Sequence, residues 1–509
     1  MPSRVRSWLT PAAWVAVVTA ALLAVFPVGF PNYDTIYALL WGKELAHGMS
    51  PDYGSALPPT PHPLADLLGL VTTPVGNAGS IAVTMVVAYA SLGLIAYLVY
   101  RLGTLWFDRW IGLVAAAIVL TRAPFLSNGL RAYVDLPYIA LCLGALTIET
   151  KRRRAGWPVL ALLAPAGLLR PEAWLFSFAY WAYLAFDVKR TSRRPAASTD
   201  LGVGQTEGRP IGAIAGWTLL WRGERTTGEL VRLAALALAG PLAWVLFDWG
   251  TTGNPLYSLT GTQKTVETLK RQTGPVDLIL YGPRRLGEIL QWPGMVGALG
   301  GVILGFAFLR RRSALGIAAA LLSLGAFAVL ACAGLAIISR YTMLASAVLA
   351  IFVALALLGW RLLEPGHPWR GRWQLFAGVV LLMFALWLPN QWSLDSTVNR
   401  DLTNQGQIEG DLTHLVEAGA FRHLCGPIVV PNHRAVPRLA FGLDIRPTRI
   451  ISATEQGIPR HGYFVDPVSS FVIHNFILDP NDPTRFKLSV PPGFHFVTRN
   501  RSWKVYRRC

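Results

Sequence analysis

Residues 11–37 read PAAWVAVVTAALLAVFPVGFPNYDTIY, an apolar run that ends at Gly29 and is followed closely by the carboxylate of Asp34. Arg4 and Arg6 precede the run, and no small-x-small cleavage site follows it before Asp34. The run is therefore interpreted as an uncleaved membrane anchor rather than a removed signal peptide. Because basic residues stay on the cytoplasmic side, we expect the amino terminus inside and Asp34 just beyond the outer end of the first membrane helix.

The composition of the whole chain is that of a multi-pass membrane protein. Of its 509 residues, 53% are hydrophobic and only 15% are charged, which is typical of a chain whose core lies in lipid. The net charge of +18 could indicate a nucleic-acid partner. The basic residues lie mainly in short clusters between apolar segments, however, where they orient membrane helices, and this distribution argues against nucleic acid.

About eleven apolar segments are predicted to cross the membrane. The basic clusters at 101–109, 151–154, 189–232, 310–312 and 361–372 all fall on the cytoplasmic side of this topology. We therefore predict a multi-pass protein of the cell membrane, with the polar segment 187–232 as a cytoplasmic linker and the carboxyl-terminal tail outside. The predicted spans are 11–30, 80–100, 111–122, 134–148, 157–169, 173–186, 232–249, 292–309, 313–338, 342–360 and 374–390.

The chain is expected to divide into a membrane domain, residues 1–390, and a small extracytoplasmic α/β domain, residues 391–509. In the second part, an apolar face at 411–423 predicts a helix, and short β-rich runs predict strands at 428–430, 450–451, 471–473, 494–497 and 503–506. Cys425 and Cys509 also lie there. An oxidising compartment would let them form a disulfide, a pairing that the sequence leaves open.

Several predicted spans are too short to cross the bilayer fully. At 1.5 Å per residue, segment 157–169 reaches only about 20 Å, against a hydrocarbon core of about 30 Å. We therefore expect recessed helix tips around a cavity that opens outward, because polar backbone at membrane depth must not face lipid. Ionisable groups in such a recess are costly unless they are paired or solvated, and they indicate function. They are Arg122, Arg131, Asp135, Arg170 and Glu172.

The order of these features resembles the polytopic glycosyltransferases of the GT-C superfamily. The likeness covers about residues 1–390. It is carried by Tyr33-Asp34 after the first helix, a loop from Trp41-Gly42 to Pro63-Leu64, the tip from Arg131 to Asp135, Leu169-Arg170-Pro171-Glu172, and Ser339-Arg340-Tyr341. Such enzymes transfer a sugar from a polyprenyl-phosphate donor to an acceptor outside the membrane, and an acid on the first outer loop serves as general base. The resemblance implies a GT-C-like fold, membrane lipid as a partner and a donor of this class.

By this resemblance, Asp34 is the candidate catalytic base, which takes the proton of an acceptor hydroxyl as it attacks the sugar. The departing phosphate is a stable anion that needs positive charge rather than a second acid, and Arg340, beside Tyr341, is the first candidate to supply it. No cofactor is expected, and no metal, because no second acid stands directly beside Asp34. The other donor-phosphate candidates are Tyr341, Arg170 and Arg131, and the substrate-binding candidates are Asp135, Glu172, His62 and Lys264.

Each main candidate also has a structural explanation. Asp34 could cap a helix, and Arg340 could anchor a helix end at the membrane interface. Asp135 could pair with Arg131 one turn away, and Arg170 could simply neutralise Glu172. Two other functions stay open: a transporter or flippase of a lipid-linked saccharide, and a non-catalytic cell-envelope assembly protein. The sugar is not specified by the sequence, and the acceptor could be a cell-wall glycan, a glycolipid or a protein.

Overall fold

Helices make up most of the protein. The computed structural model describes residues 2–26, 28–192, 215–221, 225–422, 425–476 and 489–509. A long helix, Arg370–Glu417, follows the membrane part and leads into the carboxyl-terminal part. The helices up to and including it are α1 (Pro2–Val25), α2 (Tyr33–Ala46), α3 (Pro63–Thr72), α4 (Gly76–Trp106), α5 (Arg109–Leu120), α6 (Ala123–Leu130), α7 (Asp135–Lys151), α8 (Trp157–Gly167), α9 (Glu172–Ala185), α10 (Thr227–Thr252), α11 (Tyr257–Thr268), α12 (Gly274–Phe308), α13 (Arg310–Cys332), α14 (Met343–Leu358) and α15 (Arg370–Glu417).

Six helices in the described part of the chain are long and apolar enough to cross a membrane. A seventh span results if α5 and α6, which are bent by 62° at their break, are counted as one broken span. The helical stretches Pro11–Val25 and Trp157–Gly167 are apolar but shorter. The fold is that of a polytopic membrane protein, and the expected count of about eleven crossings stays a prediction.

The polar segment at 187–232 was expected to be a partly disordered cytoplasmic linker. Its two described flanks instead pair as antiparallel strands, β1 (Phe186–Ser192) and β2 (Ala215–Trp221). Helix α10 then begins at Thr227. Residues 193–214 and 222–224 of the predicted linker lie outside the described residues.

Helix α2 joins the membrane part to the carboxyl-terminal part. Its residues from Thr35 to Gly42 are all buried, because it packs against both α3 and α16 (Val436–Leu443). The contact with α3 is very close: a Cβ atom on Gly42 would lie 2.2 Å from the carbonyl oxygen of Asp66. The two helices approach this closely because glycine carries no side chain there.

The carboxyl-terminal part contains a five-stranded mixed sheet. Its strands are β3 (Ile428–Val430), β4 (Ile450–Ser452), β5 (Gly462–Pro467), β6 (His495–Arg499) and β7 (Trp503–Arg508), in the spatial order β4-β3-β5-β7-β6. β3 runs parallel to β4 and β5, whereas β7 runs antiparallel to β5 and β6. Cys425 and Cys509 form a disulfide with their Cα atoms 5.7 Å apart, so the pairing left open by the sequence is present.

Two expectations for this part need correction. The predicted strand at 471–473 lies in a helix, α17 (Ser470–Phe476), where Val472, Ile473 and Phe476 are buried on one face. A three-residue apolar run cannot distinguish a buried strand from one turn of helix. The predicted helix at 411–423 is the end of α15, which runs without a break through 390 and ends at Glu417. The predicted domain boundary therefore falls inside a helix, and the division into two domains stays a prediction.

Candidate active site

Asp34 lies in the first turn of α2, but Asn32 is the residue that caps this helix. The side-chain oxygen of Asn32 accepts hydrogen bonds from the backbone N–H groups of Asp34, at 2.7 Å, and Thr35, at 3.2 Å, which is a common role for asparagine. The Asn32 amide donates to the carbonyl oxygen of Arg131 at 2.9 Å. The start of α2 is thus held against the loop before α7, and the Asp34 side chain is left to line a cavity.

Arg340 reaches Asp34 from a short 3₁₀ helix, Ser339–Thr342, that precedes α14. Its Nη1 lies 3.2 Å from Oδ2 of Asp34, and the two side chains are 24% and 22% exposed. The Nε of Arg340 is buried and has no hydrogen-bond partner among the described residues. The rings of Tyr133 and Tyr341 lie 5.5 and 5.8 Å from the guanidinium. Arg340 therefore contacts Asp34 through Nη1, and its Nε–H group has no hydrogen-bond partner among the described residues.

Arg170 is the centre of a buried ionic cluster. Its Nη1 lies 3.0 Å from Oδ1 of Asp135, and its Nη2 lies 2.8 Å from Oε1 of Glu172. The guanidinium also lies 4.2 Å from the centre of the Tyr341 ring. All three charged side chains are almost fully buried. Because two carboxylates already surround Arg170, its charge is compensated within the protein, and its contact with Tyr341 supports the segment that carries Arg340.

The structure places Arg131 elsewhere than predicted. Its Nε donates to Oε1 of Gln405 at 2.8 Å, and its Nη1 contacts the hydroxyl of Ser127. Arg131 is not among the described residues that line the cavity, and its ion-pair alternative with Asp135 is also absent among them, since Asp135 contacts Arg170. The side chain instead ties the end of α6 to α15, a partner that sequence distance concealed.

Of the two candidates His62 and Lys264, the described cavity wall includes His62 alone. His62 lines the cavity, and its ring stands edge-on to Trp244 with the ring centres 5.7 Å apart. Burial, assisted by the nearby Arg170 charge, lowers the pKa of His62 to about 4, so its imidazole is neutral at pH 7. Lys264 is exposed on α11 and is not among the described lining residues. His62 can therefore hydrogen-bond a ligand, whereas Lys264 does not reach the cavity wall.

The cavity has a volume of about 880 Å³ and lies between the membrane helices and the carboxyl-terminal part. Positive charge exceeds negative charge on its wall. The carboxylates are Asp34, Glu172 and Asp248, and the arginines are Arg170, Arg271, Arg284, Arg285, Arg340 and Arg434. A cavity with this excess favours an anionic ligand.

Asp248, His433 and Arg434 are among the lining residues that the sequence did not indicate. Asp248, in α10, accepts hydrogen bonds from the backbone N–H and the hydroxyl of Ser258, both at 2.8 Å. An acid inside an apolar helix is a signal that could have identified it. His433 and Arg434 come from the carboxyl-terminal part, far along the chain, and nothing in their local sequence indicates that they face this cavity.

The arrangement of helices is the GT-C fold, and the resemblance recognised in the sequence is confirmed at the level of the fold. ArnT from Cupriavidus metallidurans, solved with undecaprenyl phosphate bound, matches with a TM-score of 0.53 at 13% identity, over 98% of each chain. Its apo state matches with a TM-score of 0.50 at 11% identity, over 99% of this chain and 98% of that chain.

The oligosaccharyltransferase of Archaeoglobus fulgidus, in its apo form, matches with a TM-score of 0.51 at 12% identity, over 96% of this chain and 73% of that chain. No protein-family model and no curated protein matches the chain by sequence. At such low identity, the structural likeness extends to the fold and not to the substrates.

Proposed function

We propose that the protein is a membrane glycosyltransferase that moves a sugar from a polyprenyl-phosphate donor to an acceptor outside the membrane. The observation that carries this proposal is the 3.2 Å contact between Asp34 and Arg340 on the wall of the cavity. The fold shared with ArnT, which was solved with undecaprenyl phosphate bound, supports it. The proposal includes an amino terminus in the cytoplasm and a carboxyl-terminal part on the outer side.

The reaction needs a base and an anion site. The oxygen of an acceptor hydroxyl attacks the anomeric carbon of the sugar, and the hydroxyl proton passes to the carboxylate of Asp34. The bond between the anomeric carbon and the phosphate oxygen breaks, and its electron pair leaves on the phosphate. Arg340 stabilises that anion with the Nε donor that has no partner among the described residues.

The same arginine connects donor binding to the base. Without a donor, the contact with Arg340 compensates the charge of Asp34. A phosphate that binds at Nε shares the guanidinium, whose donors lie in one rigid plane, and so weakens its attraction for Asp34. Donor binding thereby makes Asp34 more available to accept a proton.

Asp34→Asn tests the base, because it keeps the size of the side chain and removes its basicity. We expect sugar transfer in membranes supplied with labelled polyprenyl-phosphate sugars to fall about 100-fold or more, since a positioned general base contributes roughly 10²–10⁴-fold. Glu267→Gln, on the exposed side of α11, is the matched control. Full transfer by Asp34→Asn would refute the assignment of the base.

Mass spectrometry of lipids that copurify with the wild-type protein tests the function itself. We expect a bound polyprenyl phosphate, together with consumption of the donor by the wild-type protein. Movement of a lipid-linked saccharide across the bilayer without transfer would support a flippase instead. Binding of cell-wall glycan with neither binding nor consumption of the donor would support a non-catalytic assembly protein.

A further inference from the structure

Arg434 brings a charged group from the carboxyl-terminal part to the wall of the cavity. It lies in a 3₁₀ turn, His433–Ala435, between β3 and α16. We propose that Arg434 binds an anionic group, a phosphate or a carboxylate, on the acceptor. This inference rests on the proposed function, since it identifies the acceptor class of the same cavity.

Three other arginines on this wall already contact carboxylates or other hydrogen-bond acceptors within the protein. Arg170 lies between two carboxylates, and Arg340 contacts Asp34. Arg285 donates to Oε1 of Glu288 at 2.7 Å, to the Gln272 side chain at 2.9 Å and to the Ile337 carbonyl at 2.8 Å. These groups are compensated within the protein, so they contribute less to an additional anion.

Like Arg340, Arg434 has a buried Nε without a hydrogen-bond partner among the described residues, but Arg340 already contacts Asp34 and is assigned to the donor phosphate. The backbone N–H of Arg434 donates to Oδ1 of Asn432 at 2.8 Å, which fixes the turn but does not use the guanidinium. A buried N–H donor of a charged group without an acceptor is unfavourable, and an anionic ligand removes that cost while forming a charge-assisted hydrogen bond.

The turn that carries Arg434 is held in place beside the base. The ring of His433 stands edge-on to Tyr33, the neighbour of Asp34, with the ring centres 5.5 Å apart. Burial raises the pKa of Tyr33 well above its usual value; among the smaller effects, Arg434 lowers this pKa and Asp34 raises it, so both charges act on one phenol. Because Tyr33, Asp34 and Arg434 line the same cavity, Arg434 and Asp34 are within reach of one acceptor molecule.

Further contacts make this placement rigid. Oδ2 of Asp52, in the loop after α2, accepts a hydrogen bond from the backbone N–H of Thr448 at 3.0 Å. Nε of Arg438, one turn beyond Arg434, lies 2.6 Å from Oε2 of Glu409 on α15. These contacts hold neighbouring parts of the chain against the loop after α2 and against α15, so the turn that carries Arg434 stays at the cavity wall.

The anion is assigned to the acceptor because the donor phosphate already has a site at Arg340. Arg340 comes from a turn between membrane helices, whereas Arg434 comes from the part outside them. A sugar attached to the donor phosphate must lie next to Asp34, between these two arginines. The acceptor approaches from the side of Arg434, and its anionic group meets that guanidinium.

The test uses the full-length protein in detergent and two probes. Undecaprenyl phosphate reports on the donor site, and glycerol phosphate, added to protein saturated with undecaprenyl phosphate, reports on the second site, with glycerol as the neutral comparison. We expect Arg434→Gln to weaken glycerol phosphate binding about tenfold or more, to leave glycerol binding unchanged, and to change undecaprenyl phosphate binding less than about twofold. Arg434→Lys keeps the charge and should retain part of the binding, and Arg460→Gln, on the exposed surface, is the control.

Each other outcome contradicts the inference in a recognisable way. If glycerol phosphate binds equally to the wild type and Arg434→Gln, or does not bind the wild type at millimolar concentration, Arg434 does not bind an acceptor anion. If Arg434→Gln weakens undecaprenyl phosphate as strongly as Arg340→Gln does, Arg434 belongs to the donor site. Failure of the wild type to bind undecaprenyl phosphate counts against the proposed function itself.

Discussion

Replacement of Arg170 by glutamine should be among the most destabilising single changes in this protein. Arg170 contacts Asp135 at 3.0 Å and Glu172 at 2.8 Å, and the exposed fraction of each of these side chains is 4% or less. Removing one partner of a buried ion pair costs about 3–5 kcal/mol because it leaves an uncompensated charge away from water. Here the change leaves two such carboxylates, so we expect a loss near the upper end of that range.

Reversible unfolding of the purified protein in mixed micelles measures this loss. Arg400→Gln, at a side chain that is 68% exposed, is the matched control and should change the free energy of unfolding by less than about 0.5 kcal/mol. Adding Asp135→Asn to Arg170→Gln should restore part of the stability, because one uncompensated charge disappears. A loss below about 1 kcal/mol for Arg170→Gln, or no recovery in the double variant, would show that the cluster is not held by charge.

Two further predictions concern the region outside the membrane helices. Burial raises the pKa of Glu44 from 4.5 to about 7. Between these pH values the folded state keeps a proton on Glu44 that the unfolded state has lost. The stability that this proton contributes is therefore complete below pH 4.5 and declines as the pH rises through 7. We expect this loss of folding stability to be about 1–2 kcal/mol after allowing for solvent screening. Glu44→Gln should flatten the dependence of the thermal-unfolding temperature on pH between 4.5 and 7.5. An unchanged slope contradicts this prediction. Cys425 and Cys509 are separated by 84 positions, so reduction, or Cys425→Ser with Cys509→Ser, should destabilise the carboxyl-terminal part by about 4 kcal/mol, and thiol labelling that finds both sulfurs free in native membranes contradicts the bond.

Part of the candidate site was predictable from local sequence. The placement of Asp34 shortly after the first helix follows from the apolar run that ends at Gly29, because an apolar run of that length favours a helix in lipid. The grouping of Arg170 with Glu172 follows in the same way, since charged residues at the tip of a short helix are close in the chain and need partners at membrane depth. Both inferences use only neighbouring residues and the properties of the bilayer.

The contacts expected for Arg131 and Asp135 differ from those in the structure, and one physical reason explains both differences. Arg131 was expected in the cavity but contacts Gln405, which lies 274 positions away. Asp135 was considered as a partner of Arg131 one turn away, yet Arg170 from another helix tip occupies that position. In each case a distant group with better geometry took the place of the nearby one, and sequence separation does not report that competition.

Hydropathy, charge distribution and the order of motifs by themselves determined that this is a polytopic membrane protein with an acid after its first helix, and they predicted its GT-C-like fold. These properties are set by each segment's own interaction with lipid and water. Only the tertiary structure decided that Arg340 contacts Asp34 across 306 positions, and that Arg434 reaches the same cavity from the carboxyl-terminal part. Those meetings depend on how helices and strands pack against one another, and packing is a property of the whole chain.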